Sequence, residues 1–164
     1  FQFLRSLEAD GTRELVTGLK STGPIMDGPD VVQRRGGAEE LPRLVEEVLG
    51  EWETSGLCPP SKVLILYERS SIDRSALAGL EKLRGHPLKP YLEIVDQPNH
   101  RSIGHSSVHK AKGLDSLAVI LAGLRPFSEL TSPQDRYTYF MGASRARQLL
   151  ACVDGLQSHG LSQG

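Results

Sequence analysis

The chain has 164 residues, of which 38% are hydrophobic and 24% charged, with a formal net charge of −1. Size and composition are those of one globular domain, able to bury roughly two-thirds of its unfolded surface without a disulfide or metal. The balanced charge excludes a global basic field as the means of holding nucleic acid, so any such contact has to come from a local patch.

The chain opens on Phe1 rather than Met, which reads as a piece of a longer chain or a trimmed one, and no charged-then-apolar leader follows. Phe3, Leu4, Leu7, Leu15, Val16 and Leu19 have helical spacing interrupted by Gly11, so one helix or two are expected. Residues 20–30, rich in Gly, Pro, Ser and Asp, predict a loop. Val31 to Arg35 predict a short strand that Gly36 and Gly37 end. From Ala38 to Thr54, Leu41, Leu44, Val45, Val48, Leu49 and Trp52 recur on one face with acidic residues opposite, the pattern of an amphipathic helix.

Lys62 to Tyr67 is a short apolar run between turn residues, the signature of a strand buried on both faces. Asp73 is expected to cap a helix through Ser75, Leu77, Leu80 and Leu83. Tyr91–Val95, Ser106–His109 and Leu117–Leu121 each read as strands. Ser132 and Pro133 open a helix as N-cap and first-turn proline, running to about Ala146, and Gln148–Val153 is a last strand. The domain is expected over 1–154, with 155–164 a flexible tail. No apolar run approaches the about 20 residues that span a bilayer. Cys58 and Cys152 lie far apart, with no neighbour at metal-ligand spacing, and read as reduced thiols of an intracellular protein. Alternating buried strands and helices predict an α/β domain, a mainly parallel sheet with helices on both faces.

Three segments carry possible chemistry. His109-Lys110-Ala111-Lys112-Gly113-Leu114-Asp115 lies between two predicted strands. Lys110 and Lys112 add positive charge beside a glycine that permits close backbone approach, and Asp115 can accept hydrogen bonds from sugar hydroxyls. Taken alone it is equally a solvated basic turn. In Arg136 to Arg147, an arginine can be presented to phosphate oxygens in a bidentate way; the plain alternative is a half-buried helix with exposed arginines. In Val63 to Arg74, a buried strand leads to an arginine at a helix start, a place suited to phosphate, or to an ordinary exposed arginine.

In order and content, the three together resemble the second RecA-like domain of superfamily 1 helicases of the UvrD/Rep/PcrA type. Ser107 to Asp115 is similar to that family's motif V, which runs Thr, aliphatic, His, any residue, small, Lys, Gly, Leu, Glu; seven of the nine positions agree, with Ser107 for Thr and Asp115 for Glu. Tyr139 to Arg147 resembles motif VI. Leu64-Ile65-Leu66-Tyr67 through Arg74 resembles motif IV.

The resemblance spans about Lys62 to Val153 and implies a three-layer RecA-like fold. It also implies that Arg145 is an arginine finger on the ATP γ-phosphate, with Arg74 on the same phosphate and Arg69 the competing choice. Gly113 and Asp115 would lie at the nucleotide, Asp115 on the ribose hydroxyls with one methylene less than the family's Glu. Ser107, His109, Lys110 and Lys112 would face single-stranded nucleic acid, DNA ahead of RNA. No GxxxxGK loop and no acidic strand of the Walker B kind is present, so ATP and Mg²⁺ would be bound mainly by an N-terminal lobe of the same protein, and this chain alone is expected to be inactive. The alternative is a degenerate helicase-like module that binds protein or RNA without ATPase activity. The short gap from Arg74 to Ser107 leaves no room for the large inserted domain of UvrD-type enzymes and suits compact or Schlafen-type helicase regions.

Overall fold

The computed structural model describes residues 29–68 and 71–156. Strands β1 (Val32–Gly37), β2 (Val63–Tyr67), β3 (Lys82–Leu83), β4 (His86–Pro90), β5 (Ile103–Ser107), β6 (Ser116–Ala122) and β7 (Ala146–Leu156) alternate with helices α1 (Leu41–Thr54), α2 (Tyr91–Ile94) and α3 (Pro133–Ala143). The seven strands form one sheet in the order β1-β7-β6-β2-β5-β4-β3. Every pairing is parallel except β3 with β4.

The central strands are apolar on both sides because both sides are covered. Val63 and Ile65 of β2 and Ala118, Ile120 and Ala122 of β6 join Leu41, Val45, Val48 and Trp52 of α1 in one core. Their alternates Leu64, Leu66, Val119 and Leu121 join Tyr139, Phe140 and Ala143 of α3 in the other. Each valine, leucine or isoleucine among them contributes about 1.5–3 kcal/mol when fully buried, which exceeds the ~1 kcal/mol span of intrinsic strand propensities. The result is a three-layer α/β domain with a mainly parallel sheet, as the residue pattern predicted.

The path of the chain decides which ends of the strands meet. β5 ends beside Tyr67, at the carboxyl edge of the sheet, whereas Ser116, which opens β6, lies beside Lys62 at the amino edge. Residues 108–115 therefore travel back along the α3 face, with Val108, Ala111 and Leu114 packed into that core. α3 makes the same return journey between β6 and β7. Gly142 lets it lie close: a Cβ there would sit 2.7 Å from Leu121 Cδ2 and 3.3 Å from Val108 Cγ2.

Several boundaries differ from the sequence expectations, and β1 runs through Gly36 and Gly37, which were expected to end it. No helix follows Asp73. Ser71 Oγ accepts from Asp73 N, and Ser75 Oγ accepts from Leu77 N while donating to Ile72 O; these local bonds compete with a helical ladder and leave only a 3-10 turn over Ile72–Arg74. Leu77 and Leu83 still reach the core, from a turn and from β3.

Tyr91–Ile94 is a helical turn and not a strand. The strand is the preceding His86–Pro90, ended by a proline that lacks an N–H, and Leu92 and Val95 face solvent, which breaks the period-two pattern. β5 lies three residues earlier at its start than expected, ending where Ser107 turns the backbone. α3 stops at Ala143, because Arg145 O is taken by Ser116 N and the chain enters the sheet at Ala146. β7 outruns its expected ends, and Gly155 and Leu156, counted with the tail, pair with Gly36 and Gly37. The helices expected within Phe1–Leu19 lie outside the described residues, as do Arg69 and the tail from 157 onward.

Candidate functional site

The amino edge gathers residues that are 30 apart in sequence. Asp115 ends the loop after β5, and Arg145 and Arg147 flank the start of β7, which pairs with β6 from Ser116. Arg147 Nε donates to Asp115 Oδ2 at 2.8 Å and Nη2 to Oδ1 at 2.9 Å, the parallel two-bond geometry of an arginine on a carboxylate. Both side chains face water, at 65% and 53% relative exposure. Tyr91, whose ring lies over Gly104, points its hydroxyl toward the Asp115 carbonyl at 3.5 Å.

Arg145 is held differently. Half-buried, it donates from Nε to Met141 O at 3.3 Å, from Nη1 to Leu114 O at 3.3 Å and from Nη2 to Ser144 Oγ at 3.1 Å. A cation on the last carbonyls of α3 suits the negative end of the helix. The same guanidinium joins the end of α3 to the 108–115 loop. Gly113, in that loop, has φ +84°, and nothing lies within 4 Å of where its Cβ would be. Glycine is required there by backbone conformation and leaves the surface open to a ligand.

His109, Lys110 and Lys112 are exposed along the outer side of the loop, and the described residues offer no ion-pair partner to either lysine. Ser107, expected to touch nucleic acid, is instead 2% exposed, and its Oγ accepts from Lys110 N at 3.2 Å. It caps the turn that presents the lysines.

Arg74 stands on the other edge. It shares a cleft of about 140 Å³ with Tyr67, Glu68, Ala122, Gly123 and Gly155, at the carboxyl ends of β2, β6 and β7. The seven residues of β6 separate the edges by roughly 23 Å at about 3.3 Å per residue. Arg74 and Arg145 therefore stand toward opposite ends of β6 within this lobe.

The sequence gives no signal for two recessed polar groups, His105 of β5 and Asp154 of β7. Tyr67 OH and His105 Nδ1 lie 3.0 Å apart, and burial holds the imidazole below its ordinary pKa. Asp154, on the α3 face of β7, is hydrogen-bonded with Tyr139; burial raises its carboxyl to about 6, against the opposing pull of Arg35. Among the described residues, its buried Oδ1 has no hydrogen-bond partner. On the same face, Glu68, Arg125, Asp135, Thr138 and Tyr139 line a cleft of about 300 Å³. Among the described residues no group of three His, Cys, Asp or Glu side chains is placed to hold a metal, and no helix is long and apolar enough to cross a membrane.

No protein-family model and no curated protein matches the chain. Among solved structures, the C-terminal domain of a possible DNA helicase from Lactobacillus plantarum WCFS1 is similar, with a TM-score of 0.59 and 20% identity, covering 91% of this chain and 84% of that one. At that identity the likeness is one of fold: the described residues have the α/β architecture of a helicase C-terminal domain.

Proposed function

We propose that this chain is the second motor lobe of an ATP-driven helicase or translocase of the superfamily 1, UvrD-like type, acting across a cleft from a first RecA-like lobe. The observation that carries the reading is the amino edge. It holds Asp115 and Arg145, two of the motif residues expected at a nucleotide, on neighbouring segments joined by the Arg145–Leu114 and Ser116–Arg145 hydrogen bonds. Cations and one carboxylate at an edge suit one side of a bound nucleotide. The absence of a GxxxxGK loop leaves the other side, and Mg²⁺, to the first lobe. ATP, when bound between lobes, supplies the phosphoanhydride whose cleavage drives their opening and closing.

In this reading Arg145 leaves its carbonyl partners and adds positive charge where charge develops on the γ-phosphate, while Asp115 accepts from the ribose hydroxyls. His109, Lys110 and Lys112 hold backbone phosphates of a single strand, with electrostatic contacts supplying most of the affinity. DNA is favoured over RNA, in keeping with the similar domain's description as part of a possible DNA helicase.

One observation favours a second reading. Arg145 and Ser107 are engaged within the fold, as they would be in a helicase-like module that binds RNA or protein and has lost ATPase activity. Strand-stimulated ATP turnover of the intact polypeptide decides between them. Turnover that Arg145→Ala reduces about 10³-fold or more, the ordinary loss for an arginine finger, with nucleotide binding kept, supports the motor lobe. An intact protein that neither binds nor hydrolyses ATP is the degenerate module. Hydrolysis by the purified 164-residue chain alone would overturn the division of labour between lobes.

A further inference from the structure

We propose that Arg147 is a second polyphosphate-binding arginine of the amino edge, and that Asp115 is the removable counter-ion on which it is parked. The inference rests on the reading of that edge as the nucleotide-facing one. It names a residue to which that reading gives no role and a regulation that it does not contain.

Three features separate Arg147 from its neighbour Arg145. First, its engagement is with a single side chain: Nε and Nη2 both donate to Asp115, whereas Arg145 binds two backbone carbonyls and a hydroxyl. Second, Arg147 and Asp115 are both more than half exposed. An exposed ion pair contributes only about 0–1 kcal/mol, so the fork is readily exchanged, while the half-buried Arg145 leaves polar groups unpaired when it moves. Third, the two-bond geometry at 2.8 and 2.9 Å is the one guanidinium uses on phosphate. The carboxylate oxygens of Asp115 occupy the places that two phosphate oxygens would take.

An anion-binding fork is thus already assembled at this edge, filled from within. The pairing also holds Asp115, both of whose oxygens face Arg147. A polyphosphate that takes Arg147 leaves the carboxylate free, so one exchange exposes an acceptor for hydroxyl groups and delivers a cation to phosphate. In the lone lobe each group masks the other. The mask is coupled to the sheet, because Arg147 lies in β7 and Asp115 immediately precedes β6.

The test uses the full chain at low ionic strength, with inorganic tripolyphosphate as the probe and calorimetry as the readout. Asp115→Asn removes the competing charge without shortening the side chain and is expected to tighten tripolyphosphate binding roughly threefold to tenfold. Arg147→Gln is expected to weaken binding at least as much, and Asp115→Asn should have no further effect in the Arg147→Gln background. That absence of effect is the signature of the counter-ion role, since a general change of surface charge adds in both backgrounds. Both side chains are exposed, and thermal unfolding checks that the variants fold alike. Unchanged affinity in Asp115→Asn, or full affinity in Arg147→Gln, overturns the inference. Turnover of the intact protein keeps this outcome apart from that of the function proposed above. If Arg147→Gln loses tripolyphosphate binding while Arg145→Ala leaves ATP turnover near the parent level, the parked arginine stands and the finger assignment falls. If Arg147→Gln binds tripolyphosphate fully while Arg145→Ala cuts turnover about 10³-fold, the reverse holds.

Discussion

The two edges of the sheet hold their polar groups by opposite means. At the amino edge the exposed side chains of Asp115 and Arg147 pair with each other, and Arg145 is tied to carbonyls. Toward the carboxyl edge Tyr67, Tyr139 and Asp154, with His105 midway along β5, are recessed among apolar neighbours, and their proton equilibria are shifted chiefly by burial. An exposed fork is cheap to exchange, whereas a buried group resists change because removing a partner leaves an uncompensated polar atom. The first arrangement suits a surface that trades partners during a cycle. The second suits a surface that stays as folded, and it draws attention to Asp154, whose Oδ1 has no hydrogen-bond partner among the described residues.

The largest effect expected from this contrast is on turnover. In an intact protein carrying the first lobe, Arg145→Ala should reduce strand-stimulated ATP turnover by about 10³ or more, whereas Arg74→Ala, on the far edge of the same lobe, should cost well under about tenfold by the same scale. Equal losses in steady-state kinetics would break the separation of the edges.

The next effect is on nucleic-acid binding. Lys110→Ala and Lys112→Ala should each lower single-strand affinity at low salt and reduce the slope of log affinity against log salt by about one unit. An unchanged slope in fluorescence titrations would move the strand elsewhere.

On stability, Gly142→Val introduces atoms where Leu121 and Val108 already stand. It should destabilise the domain by about 1–3 kcal/mol, the usual result of overpacking, visible as a lower denaturation midpoint with unchanged slope. An unshifted midpoint would mean that α3 does not lie as close to the sheet.

The smallest effect separates the edges by pH. The Asp154 carboxyl is raised from 3.8 to about 6 in the fold, so the folded state binds its proton more tightly than the unfolded chain. The stability this gives is complete below about pH 4 and is lost as pH rises through about 6. Asp154→Asn should therefore gain in melting temperature relative to the parent between pH 4 and pH 8. A constant difference for Asp154→Asn across the range would remove the buried carboxylate from the account.

Much of the fold was legible because burial on both faces leaves continuous apolar strands and burial on one face leaves a helical stripe; α1, β2 and β6 fell where those patterns lay. The segments after Asp73 and at Tyr91 were misread for a common reason. Their leucines and aromatics serve the core from turns, and the deciding interactions are serine hydroxyls on nearby amides and a proline without an N–H. Of the site, His109, Lys110, Lys112, Gly113, Asp115 and Arg145 were visible as residue types in order. The fork between Asp115 and Arg147 was not, since a salt bridge across 32 positions has no local signature.

By itself, then, the sequence determined the layers of this protein and the identity of its candidate groups, because periodicity and residue chemistry are properties of short stretches. Which groups share an edge was decided only in three dimensions. The return of residues 108–115 and of α3 across one face sets Asp115 beside Arg147 and leaves Arg74 the length of a strand away. The physical reason is that parallel strands force each connection to cross the sheet, so the distance between two residues depends on where each crossing ends and not on how far apart they lie along the chain.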